Sequence, residues 1–499
     1  MKKIIISVFM LSAFIFVNSG CSSDFMEKTP SNAVGMPELE DNLPAVKSLM
    51  NGTYKYMQKY NISTTSSHDD AGVMTYMIMS DIMGLDIMTP TNWYNGIYQH
   101  NQTQRMTTSA KTRLIWQWAY FIIKNCNSVI DLCKGHENDP DWIQQEGQAR
   151  VMRAYCYHGL VRFYQKHYRV AYDKPGVPLV LTPAVGDPEK DSKGRGLLSD
   201  VYTQMETDLK WAITNMTDKR DSKGHINSTV AKGLLARIYL DMAYVDNTLW
   251  DEVIKYARDA RAGNPLMQAE TYAKGFNDIA EGEWIWGLKQ DVEGNINYPG
   301  FYSFYDLASG RFGYQNVRAD MAFVEMFSDQ DSRKCFTKRP DADKPGQSVW
   351  DRYSVAKFTD KADKTGDLPY MRSAEMVLME AEALANKGLL SDAQGMLDEL
   401  RAKRITGYTT EVAASDENAM LERIWVERRK ELYAEGFALW DILRLGFIVN
   451  GDKAKRSKYH DGYGLTAPIL DNDYRYIRQI PQDEFYANVK LDPVTDQNQ

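Results

Sequence analysis

The sequence predicts a mainly α-helical protein, built of packed helix pairs and interrupted by one large irregular, short-strand insertion. Three observations carry that prediction. Apolar residues recur at helical spacing over much of the chain, two alanine-containing pairs of such stretches stand out, and residues 266–370 exchange the helical stripe for aromatic rings broken by Gly, Asn and Pro. In the segment beginning at Glu146, Met152, Tyr155, Cys156, Gly159, Leu160 and Phe163 fall at i, i+3, i+4, i+7, i+8 and i+11, which puts them on one buried helix face. Pro175-Gly176-Val177-Pro178 ends that helix, because two prolines fix the backbone and force an extended exit.

The paired stretches follow. The first holds Leu235, Ala236 and Tyr239, then Trp250, Val253, Ala257 and Ala260; the second holds Ala381 and Leu384, then Ala393, Leu397 and Leu400. In the second helix of each pair the spacing four then three recurs, a feature shared with tetratricopeptide repeats. Ordinary amphipathic helices with alanine at close crossings are the alternative. Within the insertion, Glu283-Trp284-Ile285-Trp286-Gly287-Leu288 alternates as a short strand does, with Trp284 and Trp286 on one face as core. Residues Tyr298 to Tyr305 follow as an aromatic loop. Met74, Met77, Met79, Met83 and Met88 read as flexible core filling.

The chain starts with Lys2 and Lys3, an apolar run from Ile4 to Val17, then Asn18-Ser19-Gly20-Cys21. This is the form of a secretory signal peptide. A membrane span needs about 20 apolar residues, so the run is too short to remain as an anchor. A cysteine directly after Ser-Gly resembles a bacterial lipoprotein signal, which implies cleavage before Cys21 and acylation of its thiol and new amino group. Two acyl chains meet the requirement for stable anchoring. Residues 1–20 are then the signal and 21–45 a polar, Pro-punctuated tether. Residues 46–499 form a single domain.

At 43% hydrophobic and 25% charged residues the composition is globular and argues against a long disordered chain. Thirty Tyr and 11 Trp exceed what a core needs, so some rings face water. Loss of residues 1–20 removes two of the 59 basic residues and no acid, leaving 57 against 67 acids, a net of −10. Nucleic acid is a poor partner for such a surface. Cys126 and Cys133 lie seven apart in one helix, about 10 Å along its axis, too far for a disulfide. His158 and His167, nine apart, fall on opposite sides of a helix, and neither Cys-x-x-Cys nor His-Glu-x-x-His occurs, so no zinc site and no cofactor is expected. Asp329 and Asp331 are a weak calcium signal.

Five segments resemble the SusD/RagB family of outer-membrane nutrient-binding lipoproteins of Bacteroidetes. They are the start at Cys21-Ser22-Ser23-Asp24-Phe25-Met26-Glu27 with Pro30; Gln148 to Tyr157, continued by Arg162-Phe163-Tyr164 and Gly176 to Val180; and Arg372 to Glu375 with Met379 to Ala383 and Lys387-Gly388. Then come Glu427-Arg428-Arg429-Lys430-Glu431-Leu432 with Glu435-Gly436, Asp441, Arg444 and Gly446, and finally Ile480-Pro481 with Glu484. The resemblance implies a tetratricopeptide-like scaffold with a ligand-binding insertion near 266–370. It also implies a lipid-anchored, cell-surface protein of the outer membrane that partners a SusC-like TonB-dependent transporter and binds glycans, or in some branches peptides, without catalysis. Gly-x-Ser-x-Gly and the phosphate-loop motif are missing from the sequence. A glycoside hydrolase using two carboxylates across a cleft stays as a rival reading. A scaffold lipoprotein with no small ligand is another.

The charged motif has its own physical reading. Arg428 and Glu431 are three apart, as are Asp441 and Arg444, so each pair can meet on a helix surface and pin helices together. A solvated face is the alternative.

A glycan site needs flat aromatic platforms beside amide, carboxylate or Arg groups. Asn92-Trp93-Tyr94-Asn95 has that composition and corresponds in order along the chain to the family's aromatic binding loop, with Trp93 and Tyr94 as platforms and Asn92 and Asn95 as hydrogen-bonding neighbours. Tyr298, Tyr302 and Tyr305, followed by Asp306 and Arg311, form the second candidate. The alternative for Trp93 and Tyr94 is that they cap a core. The three tyrosines could instead be core or pack against the transporter.

Overall fold

The computed structural model describes residues 41–63, 70–89, 94, 97, 100, 102–292, 300–306, 317–340, 342–345, 352–458 and 467–498. Cys21 lies outside them. The longer helices are α1 (Leu43–Met57), α2 (Val73–Ile82), α3 (Ala110–Leu132), α4 (Pro140–Tyr164), α5 (Leu198–Asn215), α6 (Ser228–Met242), α7 (Trp250–Arg261), α8 (Ser373–Asn386), α9 (Leu390–Arg404), α10 (Glu417–Leu432) and α11 (Ala438–Arg444). Ser109, Asp139, Asn227 and Asp416 start α3, α4, α6 and α10 by accepting backbone N–H bonds through their side chains.

From α3 onward successive helices pack on one another: α3 on α4, α4 on α5, α5 on α6, and α6 on α7. The stack then continues from α7 to α8 and α9, although the whole insertion separates α7 from α8 in sequence. Both predicted helix pairs are therefore real, α6 with α7 and α8 with α9. Their small and apolar positions, Ala236, Ala257, Ala260, Ala381, Ala393 and Leu397, are fully buried.

The insertion leaves and returns at one place, because β4 (Trp284–Leu288) pairs antiparallel with β8 (Leu368–Arg372), Trp284 opposite Arg372 and Leu288 opposite Leu368. Trp284 and Trp286 are core as expected, and Ile285 between them is buried too, so this strand has no wet face. A second sheet runs in the order β1 (Ile87–Met88), β5 (Arg318–Ala319), β7 (Tyr353–Val355), β6 (Phe336–Lys338) and ties the chain after α2 to the insertion, and a third pairs β2 (Pro175–Pro178) with β3 (Arg195–Leu197). The methionine run is buried in the same region. Cys126, Cys133, Cys156 and Cys335 are free thiols.

Beneath the insertion lies a buried ion network. Glu431 of α10 takes Arg372 Nη1 at 3.0 Å on Oε1, Arg404 through Nε and Nη2 at 3.0 Å each, and Arg333 Nη1 at 3.4 Å. Glu283, just before β4, joins Arg372 and Arg404, the latter at 2.8 Å. Glu435 accepts from Arg372 at 2.6 and 2.8 Å and from Lys357 at 2.5 Å. All of these side chains are shielded from water, so the solvated-face alternative fails. One expected pair is corrected: Arg428 turns to Asp441, at 2.8 and 3.0 Å, and not to Glu431, whose oxygens are taken by the three arginines. Asp441 with Arg444 forms as expected, at 2.6 Å. The calcium idea is also corrected. Asp331 gives both oxygens to Arg333, at 2.8 and 2.9 Å, while exposed Asp329 pairs with Lys334 at 2.7 Å.

His158 and His167 are not on opposite sides of one helix. Because α4 stops at Tyr164, the chain turns and brings both rings to Asp241, with Nε2 distances of 2.8 and 3.2 Å to its two oxygens. His167 Nδ1 accepts from the Arg169 amide, so its proton sits on Nε2 and points at Asp241.

Candidate functional site

The two predicted aromatic segments meet at their bases. Tyr94 stands edge-on to Phe304, ring centroids 5.3 Å apart at 80°, and its hydroxyl donates to Thr75 Oγ1 at 3.4 Å. Phe304 belongs to a helical turn, Phe301–Tyr305, in which Phe301, Phe304 and Tyr305 are spaced i, i+3 and i+4 and face inward. Phe301 and Tyr305 pack on Phe358, at 4.8 and 5.5 Å. Tyr302 donates to the carbonyls of Phe276 and Asp367, at 2.8 and 2.5 Å, and Asp306 accepts the Asp360 amide at 2.8 Å.

This changes three site assignments. Tyr94, Tyr302 and Tyr305 are 1%, 2% and 1% exposed, so none offers a ring face to a ligand. They are anchors rather than platforms, and burial drives their chemistry accordingly: desolvation pushes the Tyr94 and Tyr305 phenols well above their ordinary range. Asn92, Trp93, Asn95, Tyr298 and Arg311 lie outside the described residues. The contact of Phe304 with Tyr94 was missed by reading residues 298–305 as loop. The i, i+3, i+4 spacing of Phe301, Phe304 and Tyr305 was the available signal for a buried turn.

What holds these anchors is the insertion base. Phe276, which accepts from Tyr302, also lies under the Arg372 guanidinium, 5.0 Å from ring centroid to Cζ. Asp367 binds the amides of Ile279 and Gln290, at 3.0 and 2.8 Å, and so fixes the chain beside β8. The buried ion network thus connects through Phe276 to the floor of the aromatic segments. Among the described residues no group of three or more His, Cys, Asp or Glu side chains is placed to hold a metal ion, and no helix is long and apolar enough to cross a membrane.

Two family models match the chain. One, described as starch-binding associating with outer membrane, matches residues 24–240, and the other, the SusD family, matches residues 314–499. A SusD-like carbohydrate binding protein from Bacteroides vulgatus ATCC 8482 is 25% identical, with a TM-score of 0.76 over 90% of this chain and 97% of that one. A SusD superfamily protein from Bacteroides thetaiotaomicron VPI-5482 is 21% identical, with a TM-score of 0.75 over 92% and 99%. The surface glycan-binding protein A from Bacteroides fluxus is 18% identical, with a TM-score of 0.69 over 91% and 98%. No curated protein matches the chain at a significant level. With both ends of the sequence matched by its models and the whole stack of helices matched by its structures, the chain belongs to the SusD family.

Proposed function

We propose that this protein is a cell-surface lipoprotein, acylated at Cys21 and anchored in the outer membrane, that binds an oligosaccharide or polysaccharide. It passes the glycan to a SusC-like TonB-dependent transporter and acts by capture, without catalysis. The ligand is held by the 92–95 segment with the insertion near 266–370, and the residues assigned to it are Asn92, Trp93, Asn95, Tyr298 and Arg311. One observation carries this reading. Two aromatic segments far apart in sequence are brought together by the contact of Tyr94 with Phe304, and Trp93 and Tyr298 flank those anchors in the chain. The carbohydrate-binding description of the 25% identical Bacteroides vulgatus protein supports it, as does the signal of residues 1–20 that precedes Cys21.

The test is a calorimetric and affinity-gel screen of residues 22–499 against polysaccharides and peptides, beside Trp93→Ala and Tyr298→Ala. A glycan is expected to bind, and Trp93→Ala to weaken it by about 30-fold, the loss of roughly 2 kcal/mol typical of an aromatic anchor. Circular dichroism should stay unchanged. Binding of peptides alone would move the reading to an oligopeptide receptor on the same fold, and glycan binding that survives both substitutions would remove these residues from the site.

A further inference from the structure

A groove of about 420 Å³ lies between α10, the segment 320–326 that follows β5, and the segment 452–457, walled among others by Asp86, Phe323, Met326, Trp425, Arg429 and Lys453. That volume falls within the range of about 300–1,000 Å³ usual for small-molecule sites. Against it sits a recess of about 20 Å³, and Leu85, Asp86, Trp425 and Arg429 wall both spaces. A recess of this size holds about one water-sized group.

Two donors in the walls of the recess have no acceptor among the described residues: Trp425 Nε1 and Arg428 Nη1, on side chains of residues only 3% and 2% exposed. Buried donors are nearly always satisfied, so two in one recess call for an acceptor that enters it. The rest of each group is already committed. Arg428 gives Nε and Nη2 to Asp441, at 2.8 and 3.0 Å, Arg429 binds both oxygens of Asp86 through Nε, at 3.2 and 3.0 Å, and the Arg429 guanidinium covers the Trp425 ring at 4.6 Å. Trp425 therefore has no free face on the Arg429 side and offers its N–H.

The charge around the recess selects the acceptor. The carboxyl groups of Asp81, Asp86 and Asp441 share it with the guanidiniums of Arg428 and Arg429. An anion would face three acids, and a cation the buried Arg428 and the half-buried Arg429. A neutral hydroxyl suits both, since it accepts from Trp425 or Arg428 and donates to a carboxylate. The outer groove repeats this pattern. Lys453 pairs with Glu422, Ser457 donates to Asp320 at 2.5 Å, and Phe323, Met326 and Val426 supply apolar wall for C–H groups. Alternating donors and acceptors around an apolar wall are what a polyhydroxylated ring needs.

We propose that this groove is a second saccharide site, in which one hydroxyl group of a neutral sugar enters the recess and accepts from Trp425 and Arg428. Its walls include none of the residues assigned to the first site. In the pairing of Ile87 with Ala319 and Met88 with Arg318, Asp86 and Asp320 stand at the end that lines the groove. The proposal rests on the glycan reading of the family site.

The test is the indole region of a proton–nitrogen correlation spectrum of deuterated residues 22–499, with Trp425 assigned by Trp425→Phe. The probes are the methyl glycosides of glucose, galactose and mannose, with calorimetry in parallel. At least one sugar is expected to move the Trp425 resonance downfield and saturably. Met326→Trp, which fills the groove from a half-buried position, should weaken that titration at least tenfold and leave the shift of other indoles in place. Met326→Trp also carries the test if Trp425→Phe does not fold, because the indole resonance lost from the titration identifies Trp425. A Trp425 resonance that no sugar moves, while other indoles respond, overturns the second site and leaves the first; this is the result if a water occupies the recess. No indole response and no heat with any glycan would overturn the glycan reading itself.

Discussion

Tyr94 and Phe304 meet edge to face at 5.3 Å, and through this contact two segments that the sequence separates by most of the helical stack share one floor. The floor is load for stability before it is anything for binding. Removing a buried aromatic ring costs about 3–5 kcal/mol, so Tyr94→Ala should lose about that much in urea unfolding. Tyr94→Phe keeps the ring and gives up one long hydrogen bond to Thr75, for less than about 1 kcal/mol. Trp93→Ala should leave the unfolding midpoint alone and act on ligand only. A Tyr94→Ala protein as stable as wild type would remove the anchor from the argument.

Much of this architecture was legible because helical periodicity is a local signal. The faces of α4, α6, α7, α8 and α9 follow from spacing alone, and the insertion announced itself by losing that spacing. The pairing of charges was not legible, because it depends on which helices meet. Arg428 has a suitable acid three residues away in Glu431, yet the fold gives Glu431 to arginines from β8, α9 and the insertion, and Arg428 to α11. The same holds for His158 and His167. Their geometry turned on where α4 ends, and ends are the least readable part of a helix. For Tyr302 and Tyr305, composition pointed to a wet aromatic loop, and a single buried turn overrode it.

The ion network makes a prediction of its own. Glu431 faces Arg333, Arg372 and Arg404 without solvent, so Glu431→Gln leaves buried guanidinium charge uncompensated and should cost about 3–5 kcal/mol in denaturant unfolding. Lys453→Ala breaks the exposed pair with Glu422, whose side chains are 46% and 38% exposed, and should cost less than about 1 kcal/mol. Equal costs for the two substitutions would mean that the network contributes no more than a surface pair.

Acid should weaken the fold in two stages. Burial, then the Arg162 charge, holds His158 down to about 4 against the pull of Asp241, and His100 and His167 are lowered by burial as well. Unfolded histidine titrates near 6.5, so below about 6.5 the unfolded chain binds more protons and stability falls as pH falls. Burial alone would raise Glu427, Glu431 and Glu435, but the facing Arg and Lys charges hold all three below the usual 4.5. Their contribution is intact above about 4.5 and is lost as pH drops through their folded values. Unfolding free energy measured against pH should therefore fall steeply below about 4.5; between about 6.5 and 4.5 the histidines lower it gently against an opposing rise from Asp81, whose carboxyl burial raises to about 7. His158→Gln should flatten the first stage; the same slope in both proteins between those limits would assign that stage to other groups.

Gly436 tests how tightly α2 and α11 are joined. Its amide donates to Asp81 at 2.7 Å, and the next two amides, Phe437 and Ala438, reach the same carboxylate at 3.1 and 3.0 Å. Gly436 has φ +90°, and a Cβ there would come within 3.0 Å of Met77 Cα in α2. Gly388 has φ +73° with nothing within 4 Å. Gly388→Ala should therefore cost only the left-handed backbone, about 1–2 kcal/mol. Gly436→Ala adds a backbone clash and displaces the amides from Asp81, so it should cost more, about 3 kcal/mol or above. Thermal unfolding of the two variants side by side decides it: a Gly436→Ala midpoint no lower than that of Gly388→Ala would show that this turn yields, and that α2 and α11 are not fixed to each other through Asp81.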